Sequence, residues 1–265
     1  MKTGAVKSFY KDGLHVQIFE NRQELGHAAA ADAAEAIRAA ITGKGYANVM
    51  FAAAPSQNEV LAALCADKSI SWSSVHAFHM DEYIGLSESH PAGFRNYLKE
   101  HLFSALPFAS VNLLNGNAED PLAEAKRYSA LLDEHPIDVC LCGIGENGHL
   151  AFNDPPADFR DHDSVKIVML EESCRLQQVH DKCFEHLDEV PVSALTVTVP
   201  ALVAASCIIC SVPAAAKANA VQRTLEGNID EYCPASILRT HQNACLYLDE
   251  NSAVYLKTGV NNGRT

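Results

Sequence analysis

The sequence predicts an α/β fold in which a mostly parallel, Rossmann-like central sheet carries helices on both faces. Short apolar runs rich in β-branched residues alternate along the chain with longer stretches of helical periodicity. The apolar runs are continuous rather than alternating in polarity, which is typical of strands buried on both faces. Because no internal repeat, low-complexity tract or linker interrupts this pattern, we expect a single domain over residues 1–265.

The predicted strands and helices follow one another along the chain. The strands lie at residues 15–19, 48–52, 75–78, 137–142, 165–169, 207–212 and 244–248. The helices lie at residues 24–41, 58–65, 93–103, 122–132, 194–204 and 214–225. The last helix runs into Gly227, a residue type that often ends helices. Parallel sheets bind ligands at the carboxyl ends of their strands, so we expect the functional site in the loops that follow the strands.

The composition narrows the range of partners and locations. A formal net charge of −13 repels nucleic acid and anionic membranes, but it allows a phosphorylated small molecule held by a few local cations. The nine cysteines lie mostly in apolar surroundings, as reduced buried thiols do. Residues 1–10 lack the apolar core of a signal peptide, and no apolar run approaches a membrane span. We therefore expect a cytoplasmic protein, monomeric or homo-oligomeric.

The loop at residues 52–58 follows a predicted strand and consists largely of small residues. Small side chains let the backbone approach an anion, and the Ser56 hydroxyl together with the amides that open the next helix can bind one. An ordinary helix cap formed by Ser56 or Asn58 explains the same residues. Taken alone, the loop fits the helix cap better.

Two adjacent acids, Asp81 and Glu82, follow the strand at residues 75–78. Carboxylates at the end of a buried strand are costly to desolvate. Partial burial raises the pKa of such a group toward neutrality, where it can act as a general base. A structural acid that caps a helix or forms a salt bridge is an equally good interpretation.

The loop at residues 143–154 is the most informative of the three. Gly143, Gly145 and Gly148 permit a tight turn with exposed backbone amides. His149 then lies at the mouth of the sheet, with Asn147 and Asp154 close in sequence. An imidazole oriented by a nearby acid or amide is a plausible proton shuttle.

These loops together resemble the glucosamine-6-phosphate deaminase family, which shares a superfamily with the 6-phosphogluconolactonases. The resemblance extends over residues 16–248, and three stretches carry it most specifically: Met80-Asp81-Glu82-Tyr83, Asn112-Leu113-Leu114-Asn115-Gly116, and Gly143-x-Gly145-x-x-Gly148-His149-x-Ala151-Phe152-Asn153. The lactonase branch also has a glycine-rich loop that ends in Gly-His. The acidic stretch at 80–83 and the residues at 150–153 resemble the deaminase branch.

The resemblance implies a reaction and a set of catalytic residues. Glucosamine 6-phosphate, or a close epimer, would be converted to fructose 6-phosphate, or the matching ketose phosphate, and ammonia, with no metal or organic cofactor. Asp81, next to Glu82, resembles the base that moves a proton between C2 and C1. His149 resembles the residue that helps to open the pyranose ring, in a relay with Asn147 and Asp154.

The resemblance also implies the residues that hold the substrate. Ser56, the amides around Ala54, and Lys217 correspond to the 6-phosphate site. A mobile lid within residues 155–190 would add a cation, for which Lys182 is the candidate and Arg175 its rival. The remaining candidate substrate contacts are Gln57, Gly143 and Gly145.

The sequence departs from the family pattern in ways that leave other functions open. Asn147 stands where the family commonly has an acid, and Asp154 where it commonly has glutamate. An amide can hold a histidine tautomer, but it does not stabilise an imidazolium as a carboxylate does. The alternatives are a 6-phosphogluconolactonase-like hydrolase, a deaminase for a C4 epimer such as galactosamine 6-phosphate, or a sugar-phosphate-binding regulator without catalysis.

Overall fold

The computed structural model describes residues 4–257, which contain eleven strands and seven α-helices connected by loops and short helical turns. The strands are β1 (Lys7–Lys11), β2 (Leu14–Phe19), β3 (Ala47–Phe51), β4 (Val75–His79), β5 (Asp81–Tyr83), β6 (Ser110–Asn112), β7 (Val139–Cys142), β8 (Val165–Met169), β9 (Ser193–Val197), β10 (Cys207–Val212) and β11 (Ala244–Asp249). The helices are α1 (Arg22–Lys44), α2 (Asn58–Ala66), α3 (Phe94–Leu98), α4 (Pro121–Glu134), α5 (Glu172–His180), α6 (Val199–Val203) and α7 (Ala218–Glu226).

Eight strands form the central sheet, in the order β1-β2-β11-β10-β7-β3-β4-β6. Every neighbouring pair is parallel except β1 with β2, which form an antiparallel hairpin at one edge. The prediction of a mostly parallel sheet is therefore confirmed. Strands β2, β3, β4, β7 and β10 run in the same direction, so their carboxyl ends meet at one edge of the sheet.

The sheet separates two hydrophobic cores. Val49 and Phe51 of β3 pack in the core that contains α1 and α2, whereas Met50 packs in the core that contains α4 and α7. This alternation is what a strand covered on both faces requires. Burial of a side chain the size of Phe51 contributes about 1.5–3 kcal/mol to the free energy of unfolding. The prediction that helices cover both faces of the sheet is confirmed.

Helices α1 and α2 approach each other very closely where they begin. A Cβ atom placed on Gly26 of α1 would lie 2.3 Å from the Cβ of Glu59 in α2, so no larger residue fits without a shift. Asn21 caps α1 by accepting a 3.0 Å hydrogen bond from the amide of Glu24. This packing fixes the start of α1 beside the loop that follows β3.

A smaller antiparallel sheet, in the order β5-β9-β8, lies apart from the central sheet. The helix predicted at residues 194–204 is wrong in its first half, which forms β9. The β-branched residues there favour a strand, and Thr198 then caps α6 by accepting a hydrogen bond from the amide of Ala201. Strands β1, β5 and β6 were also not predicted. No helix among residues 4–257 is both long and apolar enough to cross a membrane.

Candidate active site

A cleft of about 140 Å³ opens at the carboxyl ends of β3, β4, β7 and β10. Parallel strands bring the loops after their carboxyl ends together at this edge, as expected for this class of sheet. Most of the candidate site residues meet in its walls: Ala54, Ser56, Gln57, Asp81, Gly143, Gly145, His149 and Lys217. Four others, Glu82, Asn147, Asp154 and Lys182, lie outside its lining.

Asp81 lines the cleft from the first position of β5, where its backbone pairs with Thr196 of β9. Its side chain is buried. Burial raises the pKa of Asp81 well above its usual range, and the neighbouring charge of Glu82 adds to the rise. A carboxylate whose pKa is raised is a stronger base than an ordinary aspartate, and once protonated it can return the proton.

Glu82 points away from the cleft, because successive side chains of a strand lie on opposite faces. Its carboxylate accepts hydrogen bonds from the amides of Tyr83, Phe94 and Arg95 at 3.0, 3.1 and 2.9 Å. Two of these amides belong to the first turn of α3, so Glu82 caps that helix. Burial raises the pKa of Glu82, although the three amides oppose the rise. The pair of acids seen in the sequence is thus divided between the cleft and a helix cap.

His149 is held by a turn that depends on glycine. Gly148 adopts a φ of 93°, in the left-handed region that favours glycine. The amide of Gly145 donates to the His149 carbonyl at 3.0 Å, and the imidazole ring packs directly over Gly145. A Cβ atom on Gly145 would lie only 2.2 Å from that ring. Glycine at this position therefore sets where the imidazole can lie.

Asn147 and Asp154 form a hydrogen-bonded relay with His149 behind the cleft. Nδ1 of His149 lies 3.1 Å from Oδ1 of Asp154, and the Asn147 side-chain amide donates to the same oxygen at 2.8 Å. The Asn147 side-chain oxygen accepts from the His149 backbone amide at 3.0 Å. Because an ionised carboxylate only accepts, Nδ1 carries a proton and Nε2 is left as an acceptor.

The environment of Asp154 keeps it ionised. Burial opposes ionisation, but the hydrogen bonds from His149 and Asn147 and the electrostatic interaction with the His149 ring outweigh burial and lower the pKa of Asp154. The backbone amide of Glu171 adds a hydrogen bond to Oδ2 at 3.2 Å. Asp154 and Asn147 therefore orient the histidine from outside the cleft.

The loop after β3 and the turn after β10 form the polar end of the cleft. Gln57 is buried and donates to Oγ of Ser56 at 3.1 Å and to the carbonyl of Ser211 at 3.2 Å. A Cβ atom on Gly143 would lie 3.1 Å from the Gln57 side-chain nitrogen. Gly143 thus allows the ends of β3, β7 and β10 to approach one another.

Lys217 brings a buried positive charge to the same end of the cleft. It lies at the end of the turn Ala215–Lys217, directly before α7, and is 7% exposed. Among residues 4–257 its ammonium group has no carboxylate within 4.0 Å. Burial lowers the pKa of Lys217, whereas the charges of Asp181 and Glu146 oppose this change. A buried cation without an ion pair indicates an anion as its ligand.

The segment at residues 155–190 reaches the cleft through α5 and the residue after it, not through the expected cation. Lys182 is exposed, with a φ of 61°, and lies outside the cleft. Arg175 donates instead to the backbone carbonyls of Leu187 and Val190, at 2.6 and 2.9 Å. The cleft residues from this segment are Gln177, Gln178 and Asp181.

Arg22 is a cleft residue that the sequence reasoning missed. It is the first residue of α1, and its guanidinium pairs with Glu59 at 2.7 Å and donates to the Pro55 carbonyl at 2.9 Å. The signal was available, because β2 is a predicted strand and its following loop belongs to the same edge of the sheet. Arg22 gives the cleft a second cation beside the residues at 53–57.

A second concavity, of about 430 Å³, lies at the amino ends of β10 and β11. It is larger than the cleft, but no lysine or arginine lines it, and Asp32 and Glu35 contribute two acids. A phosphate group would be repelled there. The converging glycine loops and cations mark the smaller cleft as the candidate active site.

The sequence is similar to one family of enzymes over most of its length. A family model described as glucosamine-6-phosphate isomerases/6-phosphogluconolactonase matches residues 20–247. A glucosamine-6-phosphate deaminase from Lysinibacillus sphaericus is 37% identical over 191 residues, which are 72% of this chain and 85% of the relative. A glucosamine-6-phosphate deaminase from Listeria monocytogenes serovar 1/2a is 34% identical over 224 residues, 84% of this chain and 94% of the relative.

Solved structures show the same fold. A structure described as a monomeric glucosamine-6-phosphate deaminase superposes with a TM-score of 0.83 at 30% identity, covering 90% of this chain and 98% of its own. A 6-phosphogluconolactonase from Trypanosoma brucei superposes with a TM-score of 0.73 at 20% identity, covering 91% and 98%. The second likeness concerns the fold alone.

Proposed function

The chain belongs to the glucosamine-6-phosphate isomerase and 6-phosphogluconolactonase family, and we propose that it converts glucosamine 6-phosphate and water to fructose 6-phosphate and ammonia. One observation carries this proposal. A single cleft contains a buried carboxyl group (Asp81), an imidazole held by a relay (His149) and a buried cation (Lys217) that has no ion pair within residues 4–257. Base, ring-opening group and phosphate ligand are the three parts that the reaction needs.

The phosphate group binds at the polar end of the cleft in this proposal. Lys217 supplies a positive charge, Ser56 supplies a hydroxyl, and the backbone around Ala54 supplies amides close to the start of α2. Arg22 adds a further positive charge at this end. A dianion there also offsets the penalty of keeping the Lys217 ammonium group buried.

His149 opens the sugar ring. Nδ1 donates to Asp154, so Nε2 faces the cleft as a base that can take the proton from the C1 hydroxyl group. The same nitrogen can then deliver a proton to the ring oxygen as the C1–O5 bond breaks. The product of this step is the open-chain aldehyde.

Asp81 moves the proton from C2 to C1. As a carboxylate it removes the proton from C2 and forms an enolamine, and as the resulting acid it returns a proton to C1. Its raised pKa suits both halves of this exchange. The iminium group left at C2 then reacts with water, which gives the ketone and releases ammonia.

Asp81 also favours deamination over lactone hydrolysis. Hydrolysis of a phosphogluconolactone needs an activated water molecule but no acid placed for proton transfer between two carbons. The relatives of at least 30% identity described above all carry the deaminase name, whereas the lactonase described above is 20% identical. Deamination is therefore the better supported of the two reactions.

Three further features belong to this proposal. The part of the chain that the structure describes, residues 4–257, forms a single domain of this family. The segment at 155–190 contains a lid, in which α5 moves relative to the cleft while β8 stays hydrogen-bonded to β9. All nine cysteines are free thiols, which fits the reducing environment of the cytoplasm.

Ammonia release tests the proposed function. Purified protein is offered glucosamine 6-phosphate, galactosamine 6-phosphate and 6-phosphogluconolactone in parallel, with no added metal. The proposal predicts ammonia from glucosamine 6-phosphate and no lactone hydrolysis above the spontaneous rate. Lactone hydrolysis without ammonia release would assign the lactonase reaction instead. Ammonia released from galactosamine 6-phosphate alone would change the assigned substrate, but the proposed mechanism would still apply.

A further inference from the structure

The relay behind the cleft has a third member that the proposed reaction does not use. Cys174 of α5 is buried, and its sulfur, a ring nitrogen of His149 and a carboxylate oxygen of Asp154 all lie within 4.8 Å of one another. Within residues 4–257 this is the one group of three or more histidine, cysteine and acidic side chains gathered so closely. It joins α5 to the loop that follows β7.

The chemistry of these three side chains selects one kind of metal ion. Magnesium and calcium prefer oxygen ligands, whereas a site with nitrogen, oxygen and sulfur suits zinc and its neighbours. Zinc sites with three protein ligands keep a fourth position open to solvent or substrate. Here the His149 ring lies between the cleft and the other two ligands, since Asp154 and Cys174 are outside the cleft lining.

The three ligand atoms are already close to the separations that a tetrahedral zinc ion requires. Ligand atoms at about 2.0–2.3 Å from a tetrahedral zinc ion are roughly 3.3–3.8 Å apart. Nδ1 of His149 and Oδ1 of Asp154 are already 3.1 Å apart. Only the Cys174 sulfur has to approach, by ~1 Å at most, which a side-chain rotation can supply.

Hydrogen bonds from outside the trio hold two of the three ligands in place. Asn147 donates to Oδ1 of Asp154 and accepts from the backbone amide of His149, while the Glu171 amide donates to Oδ2. Such outer contacts orient the ligands of established metal sites and strengthen metal binding. The His149 ring is further confined by Gly145.

We propose that His149, Asp154 and Cys174 form a reversible zinc site whose occupation inhibits the enzyme. On binding, the Cys174 thiol releases its proton to solvent and its sulfur becomes a zinc ligand. The proton on Nδ1 of His149 is replaced by zinc, and Nε2 takes up a proton instead. The inhibition rests on the proposed function, because it removes the Nε2 lone pair needed for ring opening. Zinc also ties α5 to the β7 loop and so holds the lid in one position.

Zinc and a proton compete for the cysteine. Burial, with the neighbouring Asp154 carboxylate, raises the pKa of the Cys174 thiol, so without metal this group stays protonated. Metal binding therefore releases a proton and weakens as the pH falls.

Cobalt(II) absorption tests the site without reference to activity. Cobalt bound to a thiolate has an intense near-ultraviolet charge-transfer band, and zinc should displace the cobalt and remove the band. We expect the wild-type protein to bind one cobalt ion with this band, Cys174→Ser and Cys174→Ala to lose it, and zinc affinity to fall at least tenfold in both variants. Cys183→Ala is the matched control, since Cys183 also lies in the lid segment but outside the trio.

Inhibition is measured on the same proteins as ammonia release, each normalised to its own metal-free rate. Zinc should inhibit the wild-type protein and Cys183→Ala reversibly, with recovery on adding a chelator, and should inhibit the Cys174 variants at least tenfold less effectively. A wild-type protein without the cobalt band, or a band lost in Cys183→Ala and kept in Cys174→Ser, would overturn the proposed site. Absence of ammonia release from any protein would refute the proposed function, while the cobalt result would still decide the site.

Discussion

The side-chain amide of Asn147 donates a 2.8 Å hydrogen bond to Oδ1 of Asp154. That oxygen also faces Nδ1 of His149 at 3.1 Å, so the two donors share one acceptor. The amide fixes the geometry of the relay without adding a second negative charge. Asn147 thus maintains the orientation of His149 but gives little electrostatic support to an imidazolium.

Asn147→Asp should change kcat/KM or its pH profile. The substitution replaces the amide that donates to Oδ1 of Asp154 with a second carboxylate, so the charge and the hydrogen bonding of the relay both change. Steady-state rates between pH 5 and 9 check this. A profile that superposes on that of the wild-type protein would show that residue 147 takes no part in proton handling.

Lys217→Met should raise KM at least tenfold and lower kcat by less. The lysine contributes uniform binding of the phosphate group, and methionine keeps most of its volume. The stabilisation of the protein by inorganic phosphate, measured by thermal unfolding, should also disappear.

Burial lowers the pKa of Lys217, and its charge has no ion pair in the part of the chain that the structure describes. The phosphate-free variant should therefore be at least as stable as the wild-type protein.

Lys182→Met is the matched control for the phosphate site. Lys182 is exposed and outside the cleft, so the change should alter KM less than twofold. An equal rise of KM in both variants would show that the lid carries Lys182 to the phosphate during turnover.

Gly145→Ala should lower kcat about a hundredfold or more. The added Cβ would lie 2.2 Å from the His149 ring, so the imidazole has to move, and a displacement of about 1 Å can cost that much. Gly43→Ala, where nothing lies within 4 Å of the added atom, should keep full activity and stabilise α1 by roughly 0.5–1 kcal/mol. Full activity in Gly145→Ala would show that the position of the ring is not critical.

His79 should make the protein less stable in acid. Its side chain is fully buried, its Nε2 accepts a 2.8 Å hydrogen bond from the amide of Leu114, and burial lowers its pKa to about 3. The unfolded chain has the usual value near 6.5 and so binds more protons below that pH. The free energy of unfolding should therefore fall between pH 6.5 and 3, by up to about 1.4 kcal/mol per pH unit.

His79→Gln tests this dependence by denaturant unfolding at several pH values. Glutamine can still accept from the Leu114 amide, but it does not titrate. The variant should lose less stability than the wild-type protein between pH 6.5 and 4. Equal slopes in the two proteins would exclude His79 as the source of the pH dependence.

The sequence predicts much of the site because of one rule about parallel sheets. Asp81, Gly143 and His149 were found as residues that follow apolar runs, and the structure brings all three to the cleft. Applied to β2, the same rule would also have found Arg22. Residues that reach the cleft by tertiary packing escape this rule, because no local pattern shows how α5 lies over the sheet.

Other features of the site are not visible in the local sequence pattern. The sequence does not show on which side of the strand Glu82 lies, because β5 has only three residues and the sequence pattern predicts a helix at its partner β9. Cys174 gives no signal in the sequence, since a single cysteine in a helix is most simply a core residue. Its distance from the relay depends on the packing of α5.

Ammonia release by Asp81→Asn and Glu82→Gln from saturating glucosamine 6-phosphate shows which of the two adjacent acids is the base. Asp81→Asn should lower kcat by about 10²–10⁴-fold and leave phosphate binding intact. Glu82→Gln should keep kcat within a few fold, while its weakened cap of α3 costs about 1–3 kcal/mol of stability. Turnover that survives Asp81→Asn but not Glu82→Gln would contradict Asp81 as the base.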